Sequence, residues 1–163
     1  MTSTKHTIVA LVEDKPGVLN RIASLFRRRS FNIQSLAVGG SEHPNLSRMT
    51  IVAIGDSAQI EQVRKQLDKL INVIKVSDIT EENMVTRELA LIKVKASAST
   101  RSEIMQIVDI FRANIVDVAP GSLTVEVTGD ADKLDSLLGL LRDFGVKEVS
   151  RTGRIALTRG NSS

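Results

Sequence analysis

The order of apolar runs and turns in this 163-residue chain occurs twice, and that repeat restricts the fold more than any single segment does. In the first copy, Ile8-Val9-Ala10-Leu11-Val12 is a short, β-branched apolar run, the pattern of a strand buried on both faces. Glu13-Asp14-Lys15-Pro16-Gly17 has the composition of a turn. Val18, Leu19, Ile22, Leu25 and Phe26 then recur at helical spacing and share one face. Asn32 to Val38 reads as a strand, Gly39 to Asn45 as a loop, and Leu46 to Ile54 as a strand in which Met49, Ile51 and Ala53 alternate. Gly55-Asp56 opens a second helix, with Asp56 as N-cap and Gln59 placed as in a capping box. Ile60, Val63, Leu67 and Leu70 form its apolar face, and Val73 to Ile79 is the last strand. The order is β-α-β-β-α-β, the split βαβ or ferredoxin-like arrangement.

The second half copies it. Leu89 to Val94 is a strand, and Thr100 with Glu103 forms the capping box of a helix whose face carries Ile104, Ile107, Val108 and Phe111. Asn114-Ile115 opens a strand 82 residues after Asn32-Ile33, Ser122 to Thr128 is the next, and Gly129-Asp130 opens a helix 74 residues after Gly55-Asp56. Leu134, Leu137, Leu138 and Leu141 line that helix, and Val146 to Ser150 is a strand. The fall in offset from 82 to 74 places eight extra residues in the first half, around Gly39 to Ser47. A polar stretch, Thr80-Glu81-Glu82-Asn83, marks the boundary. The expectation is an α+β protein of two tandem ferredoxin-like domains, 1–80 and 81–163, with a loose tail from Arg159 onward. Each half is near the lower size limit for burying its own core. With two helices on one face of a four-stranded sheet, the other face and the edges are left open, so pairing with a copy or a partner is expected.

Composition narrows the chemistry. With 4 Phe and neither Trp nor Tyr, base stacking is disfavoured, so no nucleic-acid partner is expected. Cysteine is absent, which excludes disulfides and thiolate chemistry. His6 and His43 lack ligand-like spacing, so no metal site is expected. No P-loop, G-x-G-x-x-G or G-x-S-x-G occurs, and a catalytic constellation is not expected. No apolar run approaches the ~20 residues that span a bilayer. The start of the chain lacks a signal-peptide pattern, and a cytoplasmic location is expected. Residues 1–80 carry 11 basic and 7 acidic side chains, and 81–163 carry 11 and 12, a mild asymmetry. Arg27-Arg28-Arg29 falls at a helix end, where it complements the dipole.

The first strand-to-helix turn is the most informative local feature. A helix that starts after Gly17 leaves its first N–H groups unpaired, and glycine lets a small anion approach the backbone. A carboxylate is favoured there, and Asp14 could receive an ammonium group. The plainer alternative is a helix-entry turn in which Asp14 satisfies backbone N–H groups.

Leu11-Val12-Glu13-Asp14-Lys15-Pro16-Gly17-Val18-Leu19, then Arg28-Arg29-Ser30-Phe31-Asn32-Ile33, Ser35-Leu36-Ala37-Val38 and Leu46-Ser47-Arg48-Met49-Thr50-Ile51 resemble the regulatory (small) subunit of acetolactate synthase, also called acetohydroxyacid synthase. Arg87-Glu88-Leu89-Ala90-Leu91-Ile92-Lys93-Val94 resembles its second half, and the likeness covers roughly residues 5 to 160. The first half resembles an ACT domain, an amino-acid-binding ferredoxin-like module. The resemblance implies a non-catalytic subunit that activates a catalytic subunit and confers feedback inhibition by valine, or by leucine or isoleucine. Thiamine diphosphate, Mg²⁺ and FAD would belong to that large subunit and not to this chain. It also implies a homodimer through ACT domains, with effector between the strand-1/helix-1 turn of one copy and the start of strand 2 of the other. Carried over, Asp14, Gly17 and Val18 line one side, and Asn32 and Ile33 the other. Asp14 stands where the family often has Asn, and Ser30 where it usually has Gly. The second half lacks the Gly-Val turn, so the same mode of binding is not expected there. The alternative reading is a stand-alone amino-acid-binding signalling or transcriptional module.

Overall fold

The structure, a computed structural model, describes residues 3–28 and 31–160. Ser30, and Arg29 of the basic cluster, lie outside the described residues.

Two compact units are present. One holds the chain up to Val85 together with the segment from Arg154 onward, and the other is Thr86–Gly153. The first contains β1 (Thr4–Glu13), α1 (Val18–Arg28), β2 (Asn32–Gly40), β3 (Leu46–Gly55), α2 (Ser57–Asp68) and β4 (Val73–Asp78). Its sheet is antiparallel in the order β2-β3-β1-β4. Ile8, Ala10, Val12, Met49, Ile51 and Ala53 alternate onto the face that receives Val18, Ile22 and Phe26 of α1 and Ile60, Val63 and Leu67 of α2. These are the helix faces read from the periodicity.

The second unit repeats the plan in β5 (Met84–Lys95), α3 (Arg101–Ile110), β6 (Asn114–Ala119), β7 (Ser122–Gly129), α4 (Ala131–Leu141) and β8 (Val146–Arg151). A 3-10 turn over Arg142–Phe144 links α4 to β8, and the strand order is β6-β7-β5-β8. Ala90, Ile92, Val94, Leu123, Val125 and Val127 face Ile104, Val108, Leu134, Leu137 and Leu141. The eight extra residues of the first half extend its middle hairpin: β2 has 9 residues and β3 has 10, against 6 and 8 in β6 and β7.

Two of the expected helix caps differ from the sequence reading. Asp56 caps α2 by accepting from the Ala58 N–H at 3.2 Å, and Gln59 completes no capping box. Thr100 makes no cap hydrogen bond, because its hydroxyl turns back to accept from the Ser97 N–H at 2.9 Å. Asp130 does cap α4, accepting from the Lys133 N–H at 2.9 Å.

The largest departure is at the C-terminus. Ile155–Thr158 forms a ninth strand, β9, which pairs with β5, and the Arg159 N–H donates to the Asn83 carbonyl at 2.8 Å. The segment from Arg154, expected to complete the second half, clusters with the first unit instead. The helix-free face of the first sheet is therefore not fully open. Thr7, Thr50, Val52 and Ile79 point away from α1 and α2 and are nonetheless buried. Ala156 is buried too, and the Arg154 guanidinium donates to the Thr7 hydroxyl.

Candidate functional site

The β1–α1 turn is fixed by the edges of the sheet. The Glu13 N–H donates to the Asn72 carbonyl at 2.8 Å and the Asp14 N–H to the Asn45 carbonyl at 3.0 Å, so the loops before β3 and β4 hold both sides of the turn. The Glu13 carboxylate pairs with Lys15 at 2.9 Å and accepts from the Asn72 amide at 3.2 Å. Those two contacts hold it below the ordinary carboxylate range. The Arg21 guanidinium closes the group by donating to the Asn72 carbonyl oxygen of the side chain.

Gly17 has φ +85°, a left-handed conformation that disfavours side chains, and a Cβ built on it would meet no atom within 4 Å. α1 begins at the next residue. Its Val18 N–H reaches the Lys15 carbonyl at a long 3.4 Å, and the Arg21 N–H takes the Gly17 carbonyl at 3.1 Å. Between them, the Leu19 and Asn20 N–H groups donate to no group among the described residues. The helix tip thus carries free donors beside an open approach, at the positive end of the helix dipole. The sequence led to the expectation that the first N–H groups of this helix are unpaired; among the described residues those of Gly17, Leu19 and Asn20 are, and only Val18 is partly engaged.

The Asp14 carboxylate is exposed and makes no hydrogen bond or ion pair among the described residues. It is therefore not consumed in satisfying the turn, the role the plainer alternative gave it. Val18 contributes backbone only, since its side chain is buried in the core.

Asn32 and Ile33 stand elsewhere. Asn32 is exposed at the start of β2 opposite Ile54, and Ile33 lies opposite Ala53 with its side chain packed against the first core. Glu13 lies opposite Leu46. From Leu46 to Ile54 along β3 is about 26 Å at ~3.3 Å per residue, so one chain does not bring Asp14 and Gly17 together with Asn32.

A second polar cluster sits at the other end of β1. The buried His6 ring places Nδ1 2.7 Å from the Asp78 carboxylate and Nε2 2.8 Å from the Thr4 hydroxyl, with the Ser57 hydroxyl at 3.3 Å. Burial pushes the Asp78 carboxyl up, but hydrogen bonds from the Thr80 hydroxyl and N–H and from His6 outweigh it and hold it below the ordinary value. The cluster pins the starts of β1 and α2 to the end of β4. Among the described residues, no group of three or more His, Asp or Glu is placed to hold a metal ion, and no helix is long and apolar enough to cross a membrane.

Residues 8–75 match the family model described as the AHAS small subunit-like ACT domain, and residues 87–160 match the small subunit of acetolactate synthase. A probable acetolactate synthase small subunit of Archaeoglobus fulgidus is 58% identical, covering 96% of this chain and 98% of that protein. The chain belongs to the acetolactate synthase small-subunit family. The acetolactate synthase small subunit of Mycobacterium bovis is 54% identical over 98% of this chain and 95% of its own length. The crystal structure of the Thermotoga maritima small subunit superposes with a TM-score of 0.89 at 44% identity, covering 98% of this chain and 99% of that one. The small-subunit family accordingly fixes the fold as two ferredoxin-like units, with an ACT domain first.

Proposed function

We propose that this small subunit is a non-catalytic regulator: it activates the acetolactate synthase catalytic subunit and makes it sensitive to valine or another branched-chain amino acid. Thiamine diphosphate, Mg²⁺ and FAD belong to the catalytic partner in this reading. The observation that carries it is the α1 tip, where unbonded N–H groups, an open Gly17 and an unpaired Asp14 carboxylate lie together. The N–H groups suit the effector carboxylate, and Asp14 suits its ammonium group.

The slot is completed by a second copy. β2 is an edge strand of nine residues with an unpaired outer side, and Leu36 and Val38 on it are exposed. An isologous, antiparallel β2–β2 pairing brings the start of one β2 to the end of the other. Gly40 at that end lies opposite Ser47, at the same end of the sheet as Glu13 opposite Leu46. Asn32 of one copy then approaches the turn with Asp14 and Gly17 of the other, which one chain alone keeps about 26 Å away. Effector binding at this seam favours one arrangement of the dimer, and that differential affinity is what the catalytic subunit reads.

The test is reconstitution with the catalytic subunit. Gly17→Asp puts a fixed anion where the effector carboxylate belongs, and Asn32→Ala removes the amide of the facing copy. Both are expected to abolish valine inhibition and to leave activation largely intact. Unchanged inhibition in both variants refutes the site.

A further inference from the structure

The helix-free face of the first sheet carries a groove of about 180 Å³ within the first unit. Val9, Leu11 and Ile79 line it together with Ala156 and Leu157 of β9. At one end, strand register sets Arg48, Leu11 and Lys75 side by side across β3, β1 and β4. The two terminal nitrogens of Arg48 are held by the Glu42 carboxylate at 2.7 and 3.2 Å, which also lowers the Glu42 carboxyl to about 2. Lys75 is exposed and has no partner among the described residues. Glu82 also lines the groove, but at its far end: the Glu82 N–H bonds the Ile79 carbonyl, and Ile79 lies beside Thr7. Thr7 and Leu11 are about 13 Å apart along β1, so Glu82 does not neutralise the Lys75 end.

A largely apolar trough with a free cation at one end suits a molecule that is anionic at one end and hydrocarbon at the other. Its volume is below the ~300–1,000 Å³ of drug-sized pockets, which limits the occupant to a few carbons. We propose that this groove binds a short aliphatic monocarboxylate, its charge held by Lys75 and its hydrocarbon laid on Val9, Leu11 and Ile79. The site is separate from the α1 tip and does not depend on the reading given to that tip. A zwitterion fits it less well, because no acidic side chain lines the Lys75 end to take an ammonium group.

The experiment is a titration of the full chain with isovalerate, followed by the methyl resonances of Val9, Leu11, Ile79 and Leu157. Saturable shifts are expected, with a dissociation constant on the order of millimolar for so small a ligand. Lys75→Ala should weaken binding about five-fold, the scale of one exposed charge contact. The neutral isovaleramide and the chain-less acetate should both bind more weakly, and Ser77→Leu, which fills the trough, should abolish the shifts. Gly17→Asp should change nothing here, which separates this site from the effector slot. Absence of saturable shifts up to ~50 mM overturns the proposal, and so does equal binding of the amide, full binding by Lys75→Ala, or shifts confined to Val18 and Ile33.

Discussion

Replacing Gly17 by alanine isolates the backbone conformation on which the helix tip depends. At φ +85° an L side chain costs about 1–2 kcal/mol. The new methyl group meets no atom within 4 Å, so no steric term is added. Alanine also restricts the unfolded chain, which returns about 0.4–1 kcal/mol. The net loss is about 1 kcal/mol, or roughly 4–8 °C in the melting of a domain this size. Gly40→Ala is the internal control: its Cβ also meets open space, but no positive φ is involved, so a neutral to slightly stabilising change is expected. Tryptophan and tyrosine are absent, so intrinsic fluorescence is a poor probe. Amide hydrogen exchange, which reports each unit separately, is the suitable assay, supported by circular dichroism melts. A loss above ~3 kcal/mol would mean that the space at Gly17 is not open. A Gly17→Ala protein as stable as Gly40→Ala would mean that the turn is not left-handed. Since the methyl group leaves the tip uncovered, valine inhibition should survive Gly17→Ala and fail in Gly17→Asp.

The Asp78 cluster gives a pH dependence. Its carboxyl is held below the ordinary 3.8, so its stabilisation is complete above that value and is lost as pH falls through the lower folded-state value. Asp78→Asn should therefore destabilise the first unit near neutrality by about 1–3 kcal/mol, with the gap to wild type closing below about pH 4. A gap of constant size from pH 7 to pH 3 in exchange measurements would contradict this. The caps offer a paired comparison: Asp130→Ala should cost about 1 kcal/mol, and Thr100→Ala clearly less, because only Asp130 bonds a helical N–H. Equal losses in denaturant titrations would reverse that assignment.

Periodicity was enough for the two βαββαβ units, because each helix has one apolar face and each inner strand alternates or is wholly apolar. The offset between halves even located the longer β2–β3 hairpin. Caps were less legible. Thr100 and Asp130 both carry capping side chains, and the local competition at Ser97 turns the Thr100 hydroxyl away. β9 escaped notice because four residues give no period, and its place is decided by distant chain. At the helix tip, Gly17 was readable from its residue type. That Asn32 lies at the opposite end of the sheet follows only from strand register, which the sequence pattern does not encode.

The return of the segment after Arg154 to the first unit makes the second unit an insertion rather than a sequel. Residues 86–153 form an uninterrupted stretch able to mature while still tethered to the ribosome. The amino-terminal unit, although it emerges earlier, waits for the segment from Arg154 onward before its sheet face is covered. Nicking the chain near Gly153 would thus strip cover from the amino-terminal unit while sparing the one next to the cut.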